Sequence, residues 1–160
     1  MIQFFKPGKP QGKARARTFY DKRTHSVRSI TPPDTVKYEE GIKNCYLIAC
    51  NDLKIESREA GKPFTTKLKW EEKEPLAVSI TAQYVIPKSY SKKRKAWILN
   101  GQELPVKKPD ADNILKVVCD ALNGVAYHDD SQIVTMTIKK VYVENPKDEG
   151  LRIILKDIWE

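Results

Sequence analysis

Apolar residues along this chain change their spacing several times, and each change marks an element. IQFFKP at the start reads as a short strand, stopped by Pro7 and Gly8. The following stretch, GKPQGKARARTFYDKRTHSVRSITPP, has turn residues and no period, which predicts a long basic loop over about 7–33. A loop of that length inside a compact domain is usually functional. From Val36 to about Ala60 the pattern becomes helical: Ile42, Tyr46, Ala49 and Leu53 recur at threes and fours, and Cys45 and Ile48 widen the stripe. Thr35 or Asp34 is the expected cap, and Gly61-Lys62-Pro63 the stop. Alternating Leu76, Val78 and Ile80 predict a strand closed by Pro87, and a basic run and a turn at Asn100-Gly101 follow.

Pro109 disfavours helix at Lys108, so the next helix is expected over Asn113 to about Asn123, with Asp112 as its N-cap and Gly124 as its left-handed terminator. Ile114, Leu115, Val118, Cys119 and Leu122 form its buried stripe, and Asp112, Lys116 and Asp120 share another face. QIVTMTIKKVYVENPKDEGLRIILKDIW reads as two strands about the turn NPKDEG, expected as an antiparallel hairpin. The order β-α-β-α-β-β, with no repeat or linker, predicts an α+β fold. It is one domain over residues 1–160, a mixed sheet with helices on one face.

Composition narrows the class. With 40% hydrophobic and 31% charged residues among 160, the chain matches a soluble globular domain. No apolar run approaches the ~20 residues of a membrane span, and the apolar start is too short for a signal peptide. A cytoplasmic location with no membrane partner is the expectation. Cys45, Cys50 and Cys119 form no CxxC pair, and with only two histidines (His25 and His128, isolated from each other) a structural zinc site is disfavoured. Reduced, packed thiols are expected.

The net charge of +8 is unevenly spread. Lys6 to Arg28 holds eight Lys/Arg against one acid, Asp21, and KSYSKKRK adds Lys88, Lys92, Lys93, Arg94 and Lys95 with none. Either run alone reads as a solvated loop. Together they match the footprint of phosphate-backbone binding, and Phe19, Tyr20, Tyr90 and Trp97 beside them can stack on exposed bases.

Against this background the segment KPDADNILKVVCDALNGVAYHDD concentrates acid at Asp110/Asp112 and Asp129/Asp130. Like charges side by side are unfavourable without a cation among them. Asp110 and Asp112, two apart on an extended approach, project to one side about 6.6 Å apart. Lys116 lies roughly 6 Å further along the helix, and Asp120 about 12 Å, too far to share an ion with Asp112. Asp120 reads as a partner for Lys116 or a supporting group. A helix followed by a strand packed beside it can return Asp129/Asp130 to the first cluster. An all-oxygen site of this kind suits Mg²⁺. The same spacing also fits a plain cap, a turn residue and a polar loop. An EF-hand fits worse, because Ile114 and Leu115 occupy positions that need an oxygen ligand and glycine. GxxxxGK[ST], HExxH and GxSxG are absent, which removes support for P-loop, zinc-protease and serine-hydrolase chemistry.

DADNILKVVCDALNGVAYHDDSQI, Asp110 to Ile133, closely resembles the hallmark of the RusA family of Holliday junction resolvases, many of them encoded by phages and prophages. That hallmark reads D-x-D-N-[LI]-x-K-x-x-x-D-A-L, a short turn, then D-D-x-Q-[IV]. GKARAR, Gly12 to Arg17, is similar to a GKxRxR stretch of some members, while Thr18 to Lys107 matches only in its order of elements. The resemblance implies metal-binding carboxylates at Asp110, Asp112 and Asp130 and a catalytic lysine at Lys116. Asp129 and Asp120 match motif positions with less direct roles. Strand parity does not choose between Asp129 and Asp130; the family pattern favours Asp130. Also implied is a homodimeric, Mg²⁺-dependent endodeoxyribonuclease, with Mn²⁺ as a substitute, that places paired symmetric nicks across a four-way junction. Lys13, Arg15, Arg17, Lys92, Lys93, Arg94, Lys95, Lys107 and Lys108 are the expected DNA contacts. Pro109 departs from members that carry basic residues there, leaving Lys107 and Lys108 as the nearest cations. Two other readings stay open: a catalytically silent junction-binding protein, and a nuclease of the same chemistry acting on flaps or forks.

Overall fold

The computed structural model describes residues 1–159. It contains six strands and three helices: β1 (Ile2–Pro7), β2 (Arg17–Asp21), β3 (Ser26–Ile30), α1 (Pro33–Glu59), β4 (Leu76–Val85), α2 (Lys92–Leu99), α3 (Ala111–Leu122), β5 (Ile133–Val143) and β6 (Gly150–Asp157). Four strands form a mixed sheet in the order β1-β6-β4-β5, and β2 and β3 form a separate ribbon. β6 runs antiparallel to both β1 and β4, and β4 runs parallel to β5. The α+β class with a mixed sheet is therefore observed.

The expected β5–β6 hairpin is corrected. β4 lies between the two strands, so they share no hydrogen bonds. The link from β5 passes through a 3₁₀ turn at Pro146–Asp148. Leu151, Ile153 and Leu155 are fully buried, a pattern that belongs to a central strand with neighbours on both sides. Because β4 and β5 are parallel, the chain between them must cross over, and α2 and α3 form that crossover.

Four further expectations change. The 7–33 loop contains the β2–β3 ribbon, and the basic run after Pro87 coils into α2. Ser91 starts α2 by accepting a hydrogen bond from the Arg94 N–H at 3.3 Å, and buried Ile98 anchors it. α1 begins at Pro33 after Pro32 without any side-chain cap, so neither Asp34 nor Thr35 plays that part. Its buried stripe runs Thr35, Tyr38, Ile42, Tyr46 and Cys50, whereas Ile48 is exposed. At 100° per residue, Ile48 points some 200° away from Tyr46.

The core sits on one face of the sheet. β4 buries Val78, Ile80, Ala82 and Tyr84 and leaves Ser79, Thr81, Gln83 and Val85 half-covered. β1 adds Ile2 and Phe4; α1 packs against β1 and α3, and α3 against β5. Phe4 meets Tyr46 edge-on, ring centroids 5.6 Å apart. Fully buried Trp70 donates its indole N–H to Asp157 at 2.8 Å and its backbone N–H to the Ala126 carbonyl at 2.9 Å. These bonds tie the β4 approach to the end of β6 and to the loop after α3.

Candidate active site

α3 carries the acidic motif because one of its faces is strongly apolar: Ile114, Val117, Val118, Cys119, Ala121 and Leu122 are all buried. The opposite face is left for Asp112, Lys116 and Asp120, all exposed. Asp110, rather than Asp112, holds the N-cap position; its backbone is extended (φ −68°, ψ 152°) and its side chain makes no cap bond. Its carboxylate has no hydrogen-bond or ion-pair partner among the described residues. Asp112 falls in the first helical turn, where the helix dipole favours an anion. Lys116 Nζ stands 3.4 Å from Asp112 Oδ2, with both side chains about two-thirds exposed (63% and 64%). An exposed pair one turn apart contributes only about 0.3–0.5 kcal/mol, so the lysine is easily released to another anion.

The corner before α3 is held by the N-terminal segment. The Lys13 N–H donates to the Asn113 carbonyl at 2.8 Å. A Cβ on Gly12 would fall 2.8 Å from Asn113 Cβ and 2.9 Å from Pro109 Cβ, so only glycine permits this approach. Lys13 Nζ then bridges Glu39 of α1 at 2.5 Å and Asp120 of α3 at 2.8 Å. Burial pulls the Lys13 pKa down, but its bonds to Asp120 and Glu39 more than reverse this. Lys13 is thus committed to joining two helices, and Asp120 pairs with it rather than with Lys116. Lys9, Lys13, Lys108 and Asp110 line a cavity of about 450 Å³ beside the corner.

A second device holds the other acidic pair. Gly124 turns the chain at φ +71°. Buried Tyr127 donates its phenol to the Cys119 carbonyl at 2.9 Å, which ties the turn after α3 to the last turns of that helix. Asp129 caps a 3₁₀ turn over Asp130–Gln132, accepting from the Ser131 N–H at 2.9 Å, and hydrogen bonding from the Ser131 side chain and then its N–H lowers the Asp129 pKa. Gln132, buried, accepts from the His128 and Asp129 N–H groups at 2.8 and 2.9 Å and donates to the carbonyls of Glu71 and Glu74 at 2.6 and 2.9 Å. Asp130 stays exposed, and its carboxylate has no hydrogen-bond or ion-pair partner among the described residues. Its charge, with that of Asp120, reaches Cys119 and Tyr127, while that of Asp110 reaches Lys140.

Among the described residues no three carboxylate, imidazole or thiol side chains close on one point. The donors nonetheless fit a hard cation: Asp110, Asp112 and Asp130 offer only oxygen, and all three are open to solvent. Mg²⁺ keeps several waters and needs only one or two carboxylates alongside a substrate phosphate.

Cations and rings continue from the corner toward α2. Lys107 Nζ lies 4.8 Å from the Tyr84 ring centroid and 5.6 Å from that of Tyr142. Arg94 stacks 3.7 Å over Tyr90 and pairs with Glu103 at 2.7 Å, and Lys93 lies 5.2 Å over the half-exposed Trp97. Arg15, Arg17, Lys92, Lys93, Arg94 and Lys108 are exposed; Lys95 and Lys107 are partly covered.

The model of the endodeoxyribonuclease RusA family matches residues 7–153. The chain belongs to the RusA family. Its RusA match takes in the Gly12 contact, the Asp110 corner, α3 and the Asp130 turn. Over 77 residues the chain is also 42% identical to the uncharacterized protein YqaN of Bacillus subtilis (strain 168), covering 47% of this chain and 54% of that protein. The chain thus spans about half the length of this curated relative. Among the described residues no helix is long and apolar enough to cross a membrane.

Proposed function

We propose that this protein is a Mg²⁺-dependent endodeoxyribonuclease that resolves four-way DNA junctions as a homodimer. The observation that carries the reading is the open Asp110, Asp112 and Lys116 group at the start of α3, in a chain of the RusA family. Asp110, Asp112 and Asp130 are the residues to hold the cation, with Mn²⁺ as a substitute. Asp130 is preferred to Asp129 because an Asp129 oxygen already caps the 3₁₀ turn. When bound, the ion supplies charge neutralisation at a phosphodiester and an acidified water. Lys116, loosely paired with Asp112, turns its ammonium to the scissile phosphate as negative charge builds there.

DNA is held by phosphate contacts from the exposed basic segments. The first turn of α2 carries Lys92, Lys93, Arg94 and Lys95 at a helix N-terminus, where the dipole disfavours cations. A phosphate there relieves both terms. Arg15, Arg17 and Lys108 extend the grip, and steep loss of affinity with salt follows. A two-fold dimer suits a junction's near two-fold symmetry and places the nicks in pairs.

The test is cleavage of a synthetic four-way junction in Mg²⁺. Asp112→Asn abolishes cutting and leaves junction binding intact or tighter, since a repelling carboxylate is gone. Cutting by that variant at the wild-type rate rejects the assignment.

A further inference from the structure

Lys140 occupies a position built for an apolar side chain. In β5 it is the register partner of Ala82, which is fully buried, between the pairs Ile80↔Ile138 and Tyr84↔Tyr142. Alternation along the strands places these residues on the helix-covered face of the sheet. Lysine there is unfavourable unless its ammonium finds partners. It finds two carbonyls: Nζ donates to Lys107 O and, at 3.1 Å, to Pro109 O. These belong to the peptides on either side of Lys108-Pro109, and the second peptide leads directly into Asp110. The Tyr84 ring supports the arrangement, with Lys140 Nζ 5.7 Å and Lys107 Nζ 4.8 Å from its centroid. Burial lowers the Lys140 pKa, and the charges of Asp110 and Lys107 act on it in opposite directions. Gly12 closes the same corner through its contacts with Pro109 and Asn113.

We propose that Lys140 is a positioning residue: by tying down the Lys107 and Pro109 carbonyls it fixes the corner that presents the Asp110 carboxylate to a divalent cation. The proposal rests on the reading of Asp110 as a ligand given above. It separates cleanly from a simple charge effect. A lysine acting only as a nearby positive charge repels the cation, so its removal tightens binding. A lysine that positions the ligand has the opposite sign.

The experiment is calorimetric titration of the metal-free full chain with Mn²⁺ alone, without DNA. Each variant is first checked for a cooperative thermal transition. Lys140→Met should weaken Mn²⁺ binding by about tenfold or more, the scale expected when a group orienting a ligand is lost. Lys140→Arg, which keeps charge and donors, should stay within about threefold of wild type, as should Lys139→Met at the neighbouring exposed position. Should Lys140→Met fail to fold, Lys140→Gln carries the comparison with the same expectation. Unchanged or tighter Mn²⁺ binding in the folded variant overturns the positioning role. Asp110→Asn distinguishes the two failures: if it binds Mn²⁺ as wild type does, the ligand reading falls first and the positioning role with it.

Discussion

The α3 corner and the β2–β3 ribbon are both rich in charge, yet they are built in opposite ways. α3 buries six of its residues, and its approach is pinned by Gly12 and Lys13. The ribbon pairs only with itself, and Phe19, Tyr20, Val27 and Ile30 are 44%, 56%, 69% and 52% exposed. Two strands alone are marginally stable in water. The contrast teaches a division of labour. On the proposed reading, carboxylates that meet one ion need fixed backbone, and two of the three, Asp110 and Asp112, stand on a packed helix and its corner. On the same reading, cations that meet a polyanion need only be numerous and reachable, and the basic residues stand on loops, a ribbon and a short helix.

That contrast can be broken at several points. The largest effect is expected at Lys116: alanine there should lower turnover on a four-way junction by about 10²–10³-fold, the scale for loss of one transition-state donor, while junction affinity changes little. Equal single-turnover rates at saturation would remove Lys116 from the chemistry. Next in size is stability. Leu122→Ala should cost about 2–5 kcal/mol in urea unfolding, whereas Val27→Ala in the ribbon should stay within about 0.5 kcal/mol. Similar losses at both sites would erase the contrast between packed helix and open ribbon. Replacing Lys22 and Arg23 at the ribbon's tip with alanine should reduce the salt dependence of junction binding by about two in slope and leave turnover at saturation unchanged. A changed turnover would place the ribbon in the chemistry. The smallest effect concerns thiols. Burial pushes the Cys119 thiol up to about 11, so it should resist alkylation at pH 8 while half-exposed Cys45 reacts. Rapid labelling of Cys119 would show that α3 opens readily.

The same contrast explains what could be read from the chain. α3 was legible because a helix with one buried face imposes its 3.6-residue period on the sequence, and Ile114, Val118, Cys119 and Leu122 follow it. The ribbon was not, because residues exposed on both sides need no alternation. α2 was hidden by four consecutive cations over a single buried anchor, Ile98. The β5–β6 pairing failed for a different reason. NPKDEG is sound turn chemistry, but turn chemistry is local, and the insertion of β4 between the strands is a long-range event. Long-range contacts also decide two side chains. Spacing offers Asp120 to Lys116, while the fold gives it to Lys13. Lys140 interrupts an otherwise apolar alternation through Met136, Ile138 and Tyr142, a signal present in the sequence whose meaning depends on the carbonyls it meets. At the Asp129/Asp130 pair, the resemblance to the family favours Asp130, and the cap made by Asp129 supports the same choice.

Growth of crystals in Mn²⁺, with the ion located by its anomalous scattering, addresses the carboxylates directly. The expected result is one ion within about 2.0–2.2 Å of oxygens from Asp110, Asp112 and Asp130, with Lys116 unbound to it. An ion found elsewhere, or Asp130 turned away from a site held by the other two in every copy, would contradict the assignment.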